Sequence, residues 1–383
     1  MPLHVVADEL RQRRARAIAM MSAKGLDGML LFRQESLYYL TGYDTFGYVF
    51  FQCLYLGSDG RMMLLTRAPD LRQARHTSVI DDVRVWVDRD GADPAVELRD
   101  ILKGFRCQGR KLGAEFGAYG LTHAAGKKLE AAFDGFCTLV DASDLVSRLR
   151  VVKSPTEIAF VRKAAELADA ALDAAHRTIA PGAFEGDVLA AMHGAIYAGG
   201  GDDPANEFVI GSGPGALLCR YFTGRRHLDP VDQITLEFSG VWRHYHAALM
   251  RTIPVGRAQP RHREMHSVSV DAMAACLDAL KPGHPIGEVF DAYARVSDRA
   301  GLQAHRLNAT GYSLGATFAP NWMDWPMFYA GNPVTAEPNM VFFLHMILMD
   351  SDSGLAMCPG QTVVVTATGA EVLSKRPLDL VVK

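Results

Sequence analysis

Glu237 is the residue from which chemistry follows most directly. It sits inside the apolar run Ile234-Thr235-Leu236-Glu237-Phe238, where a charged side chain is costly to bury unless it has a partner or a task. Burial raises a carboxyl pKa and a neighbouring arginine lowers it, and either can poise the group for catalysis. The expected roles are nucleophile or general base; the structural alternative is an ion pair with Arg251. His244 and His246 follow two apart on a strand pattern, so they are expected to share a face. His246 is assigned proton transfer, and His244 is either a substrate contact or an edge histidine. A His-x-His pair can also ligate a metal, but no third ligand stands in register. Arg220, with Arg225 and Arg226, lies in the loop before this strand. Its planar fork of donors suits a substrate carboxylate, against the alternative of a solvated basic loop. Trp322, Asp324, Trp325 and Phe328 form a cluster that is either core or an aromatic wall for a cationic ligand. Gly211 to Gly215 lacks the ending of a phosphate-binding loop and is read only as a turn near a ligand.

The elements that must position these residues fall into two halves. In the first, Asp8 to Lys24 reads as a helix ended by Gly25, and Gly28 to Phe32 as a buried strand. Val49 to Leu56 and Arg61 to Thr66 read as a hairpin around Gly57-Ser58-Asp59-Gly60. Helices over Ala92 to Gly104 and Leu121 to Phe133 flank a strand at Lys111 to Gly113. This is an α/β unit with a mixed sheet. Tyr38 to Tyr48 reads as an aromatic-rich loop. A boundary falls near residue 150, where Ser154, Pro155 and Glu157 form the capping-box start of a long helix. Helices to Ile179 and from Gly186 to Tyr197 are split by Pro181-Gly182. A second pair, His262 to Leu280 and Ile286 to Ala300, is split by Pro282-Gly283. The repeated arrangement suggests two similar halves.

Composition bounds the function. At 383 residues, two domains are expected, 1–150 and 151–383. Hydrophobic residues at 49% and charged residues at 22% are ordinary for a globular protein. The formal net charge of -3 gives no reason to expect nucleic acid or an anionic membrane as partner. No apolar run is long enough to span a bilayer, and Met1-Pro2-Leu3-His4 leads into a charged helix instead of a signal peptide. Six scattered cysteines read as reduced thiols in a cytoplasmic protein.

The stretch Ile234 to Thr252 resembles the D-x-G-x-x-x-x-G-Y-x-x-D-x-x-R-T hairpin of the pita-bread enzymes, the creatinase and prolidase superfamily. With Tyr245, Arg251 and Thr252 on the motif's Tyr, Arg and Thr, Glu237 falls at its first aspartate and Ala248 at its second. Arg148 to Glu157 resembles the entry to that family's catalytic domain. Aligning Gly311-Tyr312-Ser313-Leu314-Gly315 with the G-H-G-I-G loop puts Tyr312 at the family's histidine ligand. Glu337 to His345 puts His345 at its first glutamate, and Gly360 stands at its last. The family binds two metals with Asp, Asp, His, Glu and Glu, so all five positions are changed. The creatinase acid-base histidine falls near Arg220, and an arginine cannot act as a base at neutral pH. A narrower resemblance, to the ectoine hydrolases, rests on the hairpin, on Gly311 to Gly315 and on Ala319 to Trp322.

The resemblance implies an N-terminal creatinase-like α/β domain followed by a pita-bread catalytic domain. It further implies a metal-free hydrolase of a non-peptide C–N bond in a compact zwitterion, with ectoine or a relative as the leading substrate. Glu237 and His246 carry the reaction, and Arg220, Tyr312, His345, Trp322 and His244 hold the ligand. No metal and no other cofactor are expected, and the partner expected is a second copy of the chain, with Tyr38 to Tyr48 reaching over its pocket. The alternatives are a creatinase-like amidinohydrolase or lyase, an inactive small-molecule-binding homologue, and, with its ligands missing, a metal-dependent Xaa-Pro peptidase.

Overall fold

The computed structural model describes residues 3–220 and 224–383; 1–2 and 221–223, the start of the chain and part of the expected arginine loop, lie outside them. The chain divides into two compact units, Met1–Arg150 and Val151–Lys383. The first is built on a six-stranded mixed sheet. Its strands run, edge to edge, Val83–Trp86, Met62–Arg67, Cys53–Gly57, Gly28–Leu31, Lys111–Ala114 and Thr138–Asp141. Alternate side chains feed two cores. Leu31, Leu54, Leu56 and Leu64 pack with helices Ala7–Ala23 and Leu145–Arg150. Leu30, Tyr55, Met63, Leu65 and Leu112 pack with helices Pro94–Gly104 and His123–Phe133. Burial on both faces accounts for the nearly continuous apolar strands.

The aromatic segment differs from the expected loop. Gln34–Thr41 is a helix that takes in Tyr38, Tyr39 and Thr41, ended by Gly42 at φ 80°. A left-handed C-terminal glycine is a regular helix stop, and the apolar run before it is long enough for two turns. The hairpin strand expected from Val49 begins only at Cys53, since Gly47–Val49 is a single 3₁₀ turn.

The second unit is an eight-stranded antiparallel sheet flanked by two helix pairs. Its main path runs Asp324–Met327, Gly311–Ser313, Val341–His345, Gly360–Val365, Tyr245–Val255, Asp232–Trp242 and Val209–Ser212, with Ala370–Val372 added on Gly360–Val365. The helix Pro155–Thr178 begins with the expected capping box of Ser154 and Glu157. The other Glu157 oxygen accepts the Tyr245 hydroxyl at 2.8 Å, fastening the helix to the central hairpin. Pro260–Ala279 and Gly287–Arg299 bury Met273, Cys276, Val289 and Tyr293 against Phe342, Leu344, Val363 and Val365 of the sheet. Both pairs lie on the same side, so the polar residues that alternate with these apolar ones emerge on the other.

Gly240 sets how closely the first helix approaches. A Cβ there would stand 2.0 Å from the Ala164 carbonyl oxygen and 2.5 Å from the Ala168 nitrogen. Gly240→Ala is therefore expected to lower stability by about 3 kcal/mol through overpacking against backbone, seen as a lower urea midpoint of the second unit's transition.

Candidate active site

The hairpin Asp232–Trp242 and Tyr245–Val255 fixes the site. Its turn has both central residues at positive φ, Arg243 at 54° and His244 at 64°, the type I′ geometry that suits the twist of paired strands. The register that follows pairs Glu237 with Met250, Ser239 with Ala248 and Val241 with His246. Cross-strand partners share a face, so Thr235, Glu237, Ser239, His246, Ala248, Met250 and Thr252 all lie on the side away from the helices. Neighbouring strands extend the same face through Gly360, His345, Phe343 and Tyr312. The five positions marked by the sequence resemblance are thus gathered on one surface.

Glu237 is 6% exposed. The Tyr312 hydroxyl lies 3.3 Å from its Oε1, and the Trp322 indole N–H donates to the Tyr312 oxygen at 2.8 Å. Burial pushes the carboxyl up to about 7, with the Arg220 charge and the Tyr312 hydrogen bond pulling the other way. The carboxyl therefore changes protonation close to neutrality, where a group can both accept and return a proton. Burial also raises Tyr312 well above the ordinary phenol range, so it stays a donor. The Glu237–Arg251 ion pair does not form. Arg251 projects from the opposite face and donates to the Met250 and Gly360 carbonyls at 2.8 and 2.7 Å.

Arg220 is exposed, and among the described residues its guanidinium donates only to the adjacent Cys219 carbonyl, at 3.4 Å. Its charge is nevertheless felt by Glu237, Tyr312 and His345. His345 is buried at the end of its strand, its ring centroid 5.8 Å from that of Tyr312. Burial pushes its imidazole down to about 4, opposed by its own main chain and aided by Arg220. The aromatic cluster divides: Trp322 turns to Tyr312, while Phe328 and Trp325 join the core behind the sheet.

Two expectations need correction. His244 is not on the strand but in the turn, where its ring stacks on Phe318 at 4.2 Å; the two-residue turn takes it off the alternating pattern. His246 does face the Glu237 side, but four residue pairs along the hairpin, about 13 Å at the usual strand rise. Its Nε2 accepts the Ala205 N–H at 2.9 Å, and its Nδ1 donates to the His244 carbonyl at 2.8 Å. Burial keeps it neutral, down to about 3. With both nitrogens committed to the main chain, it braces the hairpin tip instead of carrying a proton to Glu237.

One positioning residue escaped the sequence reading. Glu185, 1% exposed, accepts the Ser212 N–H at 2.9 Å and the Gly224, Arg225 and Arg226 N–H groups at 3.3 Å each. It ties together the two sides of the loop that carries Arg220. Arg226 adds to this with bonds to Ser212 Oγ at 2.8 Å and Asp232 at 2.5 Å, so it is not a solvated loop residue. The signal was an acidic residue in the first turn of Glu185–Ala198, indistinguishable in sequence from a helix-dipole partner.

A two-metal centre does not fit these side chains. Ala248 offers a methyl group, and a Cβ on Gly360 would meet the Phe343 ring at 2.8 Å and Met250 Cβ at 3.0 Å, so no carboxylate has room there. One carboxyl and one buried imidazole are too few donors for a pair of hard divalent ions. Among the described residues, the only convergent trio of possible ligands is His305, Asp350 and Asp352, off this sheet.

Residues 159–367 match the metallopeptidase family M24, and residues 13–152 match the creatinase/prolidase N-terminal domain. An uncharacterized hydrolase/peptidase of Sinorhizobium fredii is 29% identical, over 100% of this chain and 99% of its own length. The ectoine hydrolase of Halomonas elongata is 24% identical over 95% and 94%. The Xaa-Pro dipeptidase of Pyrococcus furiosus is 25% identical over 62% and 67%. Among solved structures, a prolidase from Thermococcus sibiricus superposes with a TM-score of 0.87 at 20% identity, covering 99% of this chain and 100% of its own. No described helix is long and apolar enough to cross a membrane.

The raised Glu237 carboxyl has a signed consequence for stability. A group whose pKa is raised on folding stabilises below its unfolded value and loses that contribution as pH rises through the folded one. Glu237→Gln is therefore expected to match wild type near pH 4.5 and to exceed it above pH 7, by about 3 kcal/mol at most. Denaturation midpoints of both proteins at the two pH values measure the difference; the histidine contributions are common to both and cancel.

Proposed function

This chain belongs to metallopeptidase family M24, and from that premise we propose that it hydrolyses a non-peptide C–N bond in a small zwitterion without a metal ion. The observation that carries this reading is Glu237: a buried carboxyl poised at about 7, oriented by Tyr312, where the family would hold metals. Arg220 suits the substrate's carboxylate. Glu237 and the aromatic walls of Tyr312, Trp322 and Phe343 suit an amidine, guanidine or cyclic imino group. The Glu237 carboxylate takes a proton from water as its oxygen bonds to the carbon. The same proton then passes to the nitrogen as the C–N bond breaks, which restores the carboxylate; that carboxylate takes the remaining hydroxyl proton as the carbonyl forms and hands it to the released amine. Tyr312, itself held by the Trp322 indole N–H, keeps the Glu237 carboxyl in place throughout. The exposed Phe46, Val49 and Phe50 suit contact with a second copy of the chain.

The relative named ectoine hydrolase makes ectoine the first compound to assay, beside creatine and an Xaa-Pro dipeptide, after elemental analysis and with and without chelator. Turnover of a C–N compound, unaffected by chelator, is expected, with the dipeptide untouched. Stoichiometric zinc or manganese with chelator-sensitive dipeptide cleavage would restore the peptidase. Glu237→Gln is expected to lower kcat by about 10³-fold, the range of acid–base catalysis. Acid-quenched protein should carry no substrate adduct by mass spectrometry, since water and not Glu237 attacks. Arg220→Met is expected to raise KM about 30-fold, as for a lost charge-assisted pair, with kcat little changed.

A further inference from the structure

Among the described residues, a buried ring nitrogen of His345 is left unsatisfied. Its backbone is fixed: the N–H donates to the Thr310 carbonyl at 3.1 Å and its carbonyl accepts the Thr310 hydroxyl at 3.0 Å. Its ring packs beside those of Tyr312 and Phe343, at 5.8 and 5.4 Å. Yet Nδ1, buried, meets no hydrogen-bond partner among the described residues. Leaving such a group unsatisfied is costly, and native folds keep it where water, ligand or function supplies the partner.

The sheet puts the His345 ring on the same face as Glu237. His345, Gly360, Met250 and Glu237 form one row across four adjacent strands. Gly360 contributes no side chain to that row, and Tyr312, whose hydroxyl reaches Glu237 at 3.3 Å, borders His345 as well. Glu237 and His345 therefore flank the same ring.

We propose that His345 is a further catalytic residue, whose Nδ1 accepts one hydrogen of the attacking water while Glu237 takes the other. This rests on the C–N hydrolysis reading and completes it. A water held at both hydrogens has an oxygen lone pair free for the carbon. His345 gains and loses no proton. One O–H bond breaks to Glu237, one C–O bond forms, and the C–N bond breaks as nitrogen receives the Glu237 proton; as the carbonyl forms, the second O–H proton goes to the restored Glu237 carboxylate and from it to the released amine. The role requires a neutral imidazole, and burial, holding its pKa near 4, provides one. His246 cannot serve, since both its nitrogens are occupied.

The test pairs kinetics with a readout that needs no turnover. With whichever panel compound is hydrolysed, His345→Leu is expected to lower kcat about 100-fold with KM nearly unchanged. His345→Gln, which keeps an acceptor, should recover part of the loss, and the acid limb of the pH profile should stay where Glu237 sets it. A raised KM with kcat intact would overturn the proposal, because Nδ1 would then bind substrate. In full-length protein with ¹⁵N-histidine, the His345 Nδ1 signal should be that of an unprotonated nitrogen at neutral pH, and Glu237→Gln should shift it. If no compound is hydrolysed, the C–N reading fails and the spectra alone decide. A protonated Nδ1, or one indifferent to Glu237→Gln, overturns the inference; an unprotonated one coupled to Glu237 upholds the shared water.

Discussion

A carboxyl in the middle of a sheet strand, with almost no solvent to hold its charge, constrains everything around it. Glu237 is tolerable because one face of the sheet is given over to helices and the other is lined with groups that answer a carboxyl. Tyr312 donates to it, Trp322 donates to Tyr312, and Arg220 supplies a distant positive charge. None of these neutralises it fully, as a close ion pair would. The result is a carboxyl balanced between its two protonation states, an arrangement with no structural purpose that an apolar residue would not serve better.

That balance depends on register. A slip of one residue in the hairpin would turn Glu237 toward the helices and Leu236 toward the site. Three devices oppose it: the left-handed turn at Arg243 and His244, the Tyr245–Glu157 bond to the long helix, and His246 clasping Ala205 and the turn. Gly240 adds a fourth, since only a glycine lets the helix sit against the strand at that point. The histidine that looked catalytic in sequence is thus part of what keeps the catalytic candidate in place.

The mixed α/β architecture was legible because its elements announce themselves locally. The Ser154–Glu157 capping box, the Pro-Gly breaks between helices and the apolar run around Glu237 all have short-range physical causes. What was not legible depends on partners distant in sequence. Whether His246 is free or engaged turns on Ala205, and whether Arg226 is solvated turns on Ser212 and Asp232. The two-residue turn was missed because alternation alone cannot say where a strand stops. The helix through Tyr38 to Thr41 was missed because aromatic residues serve loops and helices equally.

The replacement of metal ligands and the titration of Glu237 are two aspects of one change. A divalent cation would hold every nearby carboxylate ionised; with Gly360 and Ala248 in place of acidic donors, the remaining carboxyl rises to about 7. On the proposed function, a cationic substrate group would take over the part a cation plays in holding that carboxyl ionised. On entering, it favours the ionised carboxyl and pulls the pKa back down. By linkage, the ionised carboxyl binds that cation more tightly than the protonated one does. On the function proposed above, the base is armed by the substrate it acts on. A neutral molecule brings no such charge, and an anionic one pushes the pKa further up. On the proposed function, selectivity for a cationic C–N group follows from the same burial that makes Glu237 costly to keep.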